Sequence, residues 1–272
     1  LDKRVSIMAD VLAVPAGQVK RNCRIKVYPD GTVGEILACS LATFVPPGWE
    51  AVGTKQHVIG GRSGDAASTE RARRRAQQRI RDLVLSNSDL DVFWTLTLAP
   101  GGPIGRTDYA AVNHKVQQWL ADRVRRRGLR YVAVYEYHDR VESDGHRAIH
   151  VHGIANHSAL RMVDSGRKYQ DKLGHWHHIY NLPDWSLGIT TAMYLYGDRY
   201  AATAYIAKYV RKSERPVGGR WYLHSHNLRE PQYDYFDVDF AALPGHEVYV
   251  PAARCTYKYI PLSCLHQLTD GG

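Results

Sequence analysis

Tyr205-Ile-Ala-Lys208-Tyr209-Val-Arg-Lys212 predicts the second half of a helix that begins near Asp198. Each helical residue turns the chain by about 100°, so the two tyrosines and the two lysines fall within one arc of roughly 100°. The opposite side carries small and apolar residues that can pack on a sheet. The stretch therefore presents two phenols between two ammonium groups, although spacing alone also fits an amphipathic helix with a solvated edge.

A second pattern lies upstream, at His150-Val151-His152 in an otherwise apolar segment, residues 148–154. The segment predicts a strand, and both histidines point to the same face because strand side chains alternate. Two imidazoles placed in this way can bind one divalent metal ion. The alternative is a pair of ordinary strand histidines that face water.

A carboxylate stands out on the preceding predicted strand, residues 130–138. Glu136 shares a face with two valines and with His138, and burying an unpaired carboxylate there would be costly. A metal ion would satisfy this carboxylate, as would solvent or an arginine. His138 and His146 are weaker candidates for the same ligand role.

Three motifs together resemble those of the HUH endonucleases, in which U is a bulky apolar residue and Val151 takes that place. The first motif is an apolar strand containing Thr-Leu-Thr, residues 93–98. The histidine pair is the second motif, and the Tyr-x-x-Lys-Tyr-x-x-Lys pattern of residues 205–212 is the third. All three follow the family's order, and the likeness spans about residues 63–230. It is closest to the two-tyrosine replication initiators of single-stranded DNA phages.

The resemblance implies a chemistry for these residues. His150, His152 and Glu136 would hold a divalent ion, Mg²⁺ or Mn²⁺, of which manganese suits imidazole better. Tyr205 and Tyr209 would attack DNA phosphates, giving a 5′-phosphotyrosine and a free 3′-hydroxyl. That ester keeps the energy of the broken bond, so rejoining the strand would need no ATP.

Lys208 would assist this chemistry, because it lies one helical turn from Tyr205 and could favour the phenolate and contact phosphate. The implied function is a replication initiator that nicks and rejoins single-stranded DNA at an origin, which can include a hairpin, for rolling-circle replication. The sequence contains no G-x-x-x-x-G-K-[ST] motif. We therefore expect a separate helicase and DNA polymerase from the host.

Two other functions fit the same residues. One is another enzyme of this superfamily, a relaxase or a single-strand transposase; relaxases typically use three histidines, whereas the third ligand here looks acidic. The other is a non-enzymatic module that binds DNA or RNA on a sheet. Such a module would need no metal and would leave no covalent adduct.

The hydrophobic periodicity predicts an α+β fold. Residues 91–224 run in the order strand, helix, strand, strand, helix, strand, which is the ferredoxin-like split βαβ arrangement of a central antiparallel sheet with helices on one face. Residues 156–197 are expected to be long and irregular, and their aromatic side chains could stack unpaired bases or pack on the core. We expect three regions: a β-rich N-terminal appendage (1–62), the endonuclease domain (63–230) and an extended or β C-terminal appendage (231–272).

The charge of the chain favours an anionic partner. The net charge is +9 and the pI is about 9.4, and a predicted helix at residues 66–86 carries six arginines that fit either phosphate contact or a solvated face. The four cysteines form no C-x-x-C pair and the longest apolar run is too short to span a bilayer. We therefore expect a cytoplasmic protein of a bacterial or other prokaryotic host, with no membrane partner. The expected DNA contacts are Arg71, Arg74, Arg75 and Lys212.

Overall fold

The computed structural model describes residues 20–46, 66–196, 199–212 and 216–264. These residues form two antiparallel sheets and three α-helices, which agrees with the predicted α+β class. In chain order the elements are β1 (Cys23–Val27), β2 (Val33–Cys39), α1 (Ala66–Leu85), β3 (Val92–Thr97), α2 (Tyr109–Arg127), β4 (Tyr131–Val141), β5 (Arg147–Ala155), β6 (Val163–Gln170), β7 (Trp176–Asn181), β8 (Thr190–Tyr194), α3 (Arg199–Lys212), β9 (Leu223–His224), β10 (Gln232–Phe236), β11 (His246–Val250) and β12 (Cys255–Ile260).

One compact unit lies within residues 61–229 and contains a seven-stranded sheet in the order β6-β7-β8-β3-β5-β4-β9. Its centre is a split βαβ unit, because α2 connects β3 to β4 and β5 pairs antiparallel with both. Asp108 caps α2 by accepting hydrogen bonds from two backbone N–H groups, and Gly128 ends it with φ of 67°. These helix ends match the sequence prediction.

The predicted arrangement extends only to the first three core strands. The fourth predicted strand, residues 220–224, is reduced to the two residues of β9, which pairs with β4. The position beside β3 is taken by β8 instead. The ferredoxin-like order predicted from the sequence is therefore not reproduced at either edge of the core.

The prediction that all helices lie on one face is wrong. Trp94 of β3 belongs to a buried cluster with Val116 and Leu120 of α2. Its neighbour Phe93 belongs to a second cluster with Ile80 of α1, and α3 contributes residues to that cluster. Successive strand residues face opposite sides. The sheet is therefore apolar on both sides, and each side is covered by a helical layer.

The expectation of an irregular segment at residues 156–197 is also wrong, because the segment contains β6, β7 and β8. The first two strands form a hairpin, and β8 joins the hairpin to the central sheet. Most side chains of β6 are exposed. Such a strand lacks the alternation of buried and exposed residues by which a strand is recognised in sequence.

The second unit lies within residues 1–60 and 230–272 and contains a five-stranded sheet in the order β10-β1-β2-β12-β11. The predicted hairpin at residues 24–36 is confirmed as β1 and β2. Strands from both ends of the chain thus share one sheet, while the expected boundaries at 62 and 230 stay a prediction. No described helix is both long and apolar enough to cross a bilayer.

Candidate active site

The register of three neighbouring strands brings the candidate ligands to one face. His150 on β5 lies between Thr97 of β3 and Glu136 of β4. His152 lies between Thr95 and a valine in the same two strands. Because residues that pair across strands share a face, both histidines and the glutamate point to the side covered by α1 and α3.

The imidazole of His152 is held on both sides. Its Nε2 lies 2.8 Å from a carboxylate oxygen of Glu136, and its Nδ1 lies 3.0 Å from the hydroxyl oxygen of Thr95. The residue is buried. Two partners on a buried ring leave it little rotational freedom, so its position is fixed before any ligand binds.

His150 is electrically neutral at physiological pH. Burial, above all, and then the positive charges of His152, His138 and Arg106 lower the pKa of His150 to about 4, against an opposing contribution from Glu136. The ring of His138 lies 4.9 Å from that of His150. A neutral imidazole keeps a lone pair available, which is the form that binds a metal ion.

The two phenols of α3 reach this histidine strand. The Tyr209 ring stacks on the His152 imidazole with centroids 4.0 Å apart and planes 14° apart. Its hydroxyl donates a hydrogen bond of 2.9 Å to the Tyr205 oxygen. Tyr209 is 8% exposed and Tyr205 is 44% exposed, so one phenol is packed within the site and the other is open to a substrate.

The electrostatics of Tyr209 differ from those of a free phenol. Burial raises the pKa of Tyr209 well above its ordinary value, and the hydrogen bond to Tyr205 and the charge of Glu136 act in the same direction. A phenol that holds its proton this firmly is a poor nucleophile and a good hydrogen-bond donor. Donating to Tyr205 favours negative charge on the accepting oxygen.

Two residues of β3 complete the site, and sequence reasoning assigned neither of them a role. Phe93 meets the Tyr205 ring edge-on at 4.9 Å and lies parallel to the His152 ring at 6.0 Å. Thr95 bonds His152, as described above. Both belong to the Thr-Leu-Thr strand, so the motif carried a signal; the alternation of that strand places them on the histidine face.

The predicted DNA contacts have different environments. On α1, Arg71 and Arg75 are exposed, whereas Nε of Arg74 lies 2.8 Å from a carboxylate oxygen of Glu70. Lys208 of α3 is exposed and forms no hydrogen bond or ion pair with a described residue. The side chain of Lys212 lies outside the described residues.

The arginine helix lies against the tyrosine helix. The Gln77 amide donates to the Ala207 carbonyl oxygen at 3.3 Å, and Arg73 donates to the Arg211 carbonyl oxygen at 3.1 Å. The exposed arginines of α1 are therefore carried by a helix that directly adjoins the one bearing both phenols.

The chemistry of the candidate ligands fits a divalent ion better than their arrangement does. Two imidazoles and one carboxylate on one face are suitable donors for Mn²⁺ or Mg²⁺. Within the described residues, however, no three His, Cys, Asp or Glu side chains are disposed as a metal centre. Glu136 hydrogen-bonds to His152 instead. The ligand set therefore stays a prediction.

The comparisons with known proteins give one match. Residues 91–214 match the family model of the ORF2-type replication-associated proteins. The match covers slightly less than half of the chain, and it includes β3, the histidine strand and the tyrosine helix. No curated protein and no solved structure matches the chain. The match is consistent with a rolling-circle replication initiator.

Proposed function

We propose that this protein nicks and rejoins single-stranded DNA at a replication origin by tyrosine transesterification, as an HUH-type initiator of rolling-circle replication. One observation carries the proposal. The stack of Tyr209 on His152 and the hydrogen bond from Tyr209 to Tyr205 join two phenols to the histidine strand. The similarity of residues 91–214 to replication-associated proteins supports the same assignment.

Tyr205 is the first nucleophile in this proposal. Its phenol is the more exposed of the two, and its oxygen accepts the hydrogen bond from Tyr209. The Tyr205 oxygen forms a bond to phosphorus while the bond from phosphorus to the 3′ oxygen breaks. The departing 3′ oxygen takes up a proton and becomes a free hydroxyl, and the DNA end stays attached as a 5′-phosphotyrosine.

Tyr209 serves the second transfer. While it donates to Tyr205, its own proton is held firmly; once Tyr205 is esterified, the charge that this hydrogen bond stabilised is gone. Tyr209 can then attack a second junction as the first ester is released. Two phenols four residues apart on one helix thus allow a strand to be cut and closed in turn.

A divalent ion, Mg²⁺ or Mn²⁺, would be held by His150, His152 and Glu136. When bound, it would neutralise charge on the scissile phosphate. Lys208 is exposed one helical turn from Tyr205 and would contact the phosphate as a cation. The helicase and polymerase of a prokaryotic host would extend the free 3′-hydroxyl in the cytoplasm.

The proposal is tested by incubating the protein with a labelled single-stranded oligonucleotide carrying its origin, with Mn²⁺ or with EDTA. We expect an SDS-resistant adduct with Mn²⁺ only, lost in Tyr205→Phe. The control is Tyr137→Phe, because Tyr137 is an exposed tyrosine that follows Glu136 on β4 and so points to the other face.

The adduct assay also separates the alternatives. Absence of an adduct on a verified origin would contradict the proposal and favour a binding module. Joining of transposon ends in place of origin nicking would favour a transposase.

A further inference from the structure

Three aromatic rings form a ladder between the β6–β7 hairpin and the end of β8. The His177 ring lies 4.5 Å from that of Tyr196, with planes 25° apart, and 5.1 Å from that of Tyr169, with planes 32° apart. The His177 Nε2 also lies 2.9 Å from a carboxylate oxygen of Asp171. The central ring of the ladder is therefore fixed.

The strand register places this ladder on the same sheet face as the phenols. Thr95 pairs with Thr191 of β8, so Thr191 shares the histidine face. The next residue of β8, Ala192, pairs with Tyr180 of β7, which therefore points to the opposite side. Side chains alternate along a strand, so His177, three positions from Tyr180, returns to the histidine face.

The neighbouring hairpin strand and a direct electrostatic effect agree with this placement. Tyr169 of β6 pairs with His177 and therefore faces the same way. Burial, chiefly, raises the pKa of Tyr169, and the phenols of Tyr196 and Tyr205 contribute in the same direction. Such an interaction requires the candidate nucleophile to lie within electrostatic reach of the ladder.

The ladder has an open ring and a nearby cation. Tyr196 is 61% exposed, so its ring offers surface for another planar group. Arg167 lies two residues before Tyr169 on β6, is exposed, and pairs with Ile179 rather than with an acid. Because of the alternation along β6, Arg167 lies on the same face as Tyr169. A flat aromatic surface beside an arginine matches an unpaired base and its phosphate.

We propose that Tyr169, His177 and Tyr196 form a stacking platform for one unpaired base of the DNA strand that Tyr205 cuts, with Arg167 contacting an adjacent phosphate. The inference rests on the proposed function for the position of the cut. The base stacks on Tyr196, and the two inner rings support it. Stacking accepts any base, so the platform selects single-stranded over duplex DNA without selecting a sequence.

The test measures the affinity of the full chain for a fluorescent single-stranded oligonucleotide by anisotropy. EDTA is present, so that the measurement is independent of strand cleavage. Tyr196→Ala is expected to weaken binding about 5- to 100-fold, since a base stack contributes roughly 1–3 kcal/mol. Tyr196→Phe keeps the ring and should bind within about twofold of the wild type.

The matched control is Trp176→Ala. Trp176 is a large exposed aromatic residue of the same hairpin, 63% exposed, and it adjoins His177 on β7, so it points to the opposite face. We expect its loss to leave affinity unchanged. Wild-type affinity in Tyr196→Ala, or equal weakening by Trp176→Ala, would overturn the platform. Thermal unfolding of each variant verifies that it is folded.

The two proposals fail separately. If the wild type forms no covalent adduct but Tyr196→Ala alone weakens binding, the nicking function is wrong and the stacking surface stands. If the adduct forms and Tyr196→Ala binds normally, the platform is wrong and the nicking function stands.

Discussion

Tyr209 lies flat against His152, with ring centroids 4.0 Å apart. The contact joins the helix that carries both phenols to the strand that carries both histidines. Because the hydroxyl of Tyr209 also donates to Tyr205, the position of the exposed phenol depends on a ring packed against the strand. The candidate nucleophile is thereby pre-positioned over the histidine face, which is a requirement for efficient transfer chemistry.

Thr95→Val should slow adduct formation about 10-fold, since losing a partner that orients a metal ligand typically costs roughly 10- to 100-fold in activity or metal affinity. The Thr95 hydroxyl lies 3.0 Å from Nδ1 of His152. The measurement is the initial rate of adduct formation against Mn²⁺ concentration. Thr97→Val is the control, because Thr97 lies on the same face opposite His150. Equal rates for the two variants would contradict the role of Thr95.

Arg71→Ala and Arg75→Ala should each reduce the dependence of DNA affinity on salt. Each phosphate contact contributes about 0.7 to the slope of log affinity against log salt for a single strand, so each variant should lower the slope by about that amount. Arg74→Ala should change it less, because Glu70 already neutralises part of its charge. The slopes are measured by titration at several salt concentrations. A larger effect for Arg74→Ala would contradict the prediction.

Gly153→Ala should destabilise the protein without touching a site residue. A Cβ at Gly153 would lie 2.2 Å from the ring of Trp94, its cross-strand partner, and Trp94 is fully buried. Overpacking of this kind costs about 1–3 kcal/mol. Gly105→Ala is the control, since its Cβ would meet only a side chain at 3.7 Å. Denaturant unfolding of both variants gives the comparison, and equal stabilities would contradict the close approach.

Tyr131 should make the protein less stable at alkaline pH. Burial raises the pKa of Tyr131 to about 12 from 10.0, so the folded state holds this proton more tightly than the unfolded state. The contribution is fully present below pH 10 and is lost as the pH rises from about 10 to about 12. In Tyr131→Phe the free energy of unfolding should fall less steeply across that interval. An identical slope in the variant would contradict the assignment, and the exposed Tyr137→Phe serves as the control.

Local patterns in the sequence predicted much of the fold and the shared face of the candidate ligands. The cap at Asp108 and the stop at Gly128 fixed one helix, because both depend on adjacent backbone groups. Alternation alone placed His150 and His152 on one side of a strand. Helical spacing likewise placed Tyr205 and Tyr209 on one face of a helix, and the structure brings those two phenols together.

The remainder depended on contacts between distant segments. Phe93 touches Tyr205 although the two lie far apart in the chain, and no local periodicity encodes which helix covers which face of a sheet. The hairpin that contains Tyr169 and His177 was predicted as irregular because its strands are polar and exposed. Its place on the histidine face follows only from the register of β8 against β3.

The most direct measurement of the central claim is to map the covalent adduct. The wild-type protein is incubated with an origin oligonucleotide and Mn²⁺, digested with protease and nuclease, and analysed by mass spectrometry for a nucleotide attached to a tyrosine. We predict that the first adduct is on Tyr205, and that Tyr209→Phe still forms it. An adduct on any residue other than Tyr205 and Tyr209, or no adduct on a verified origin, would contradict the account.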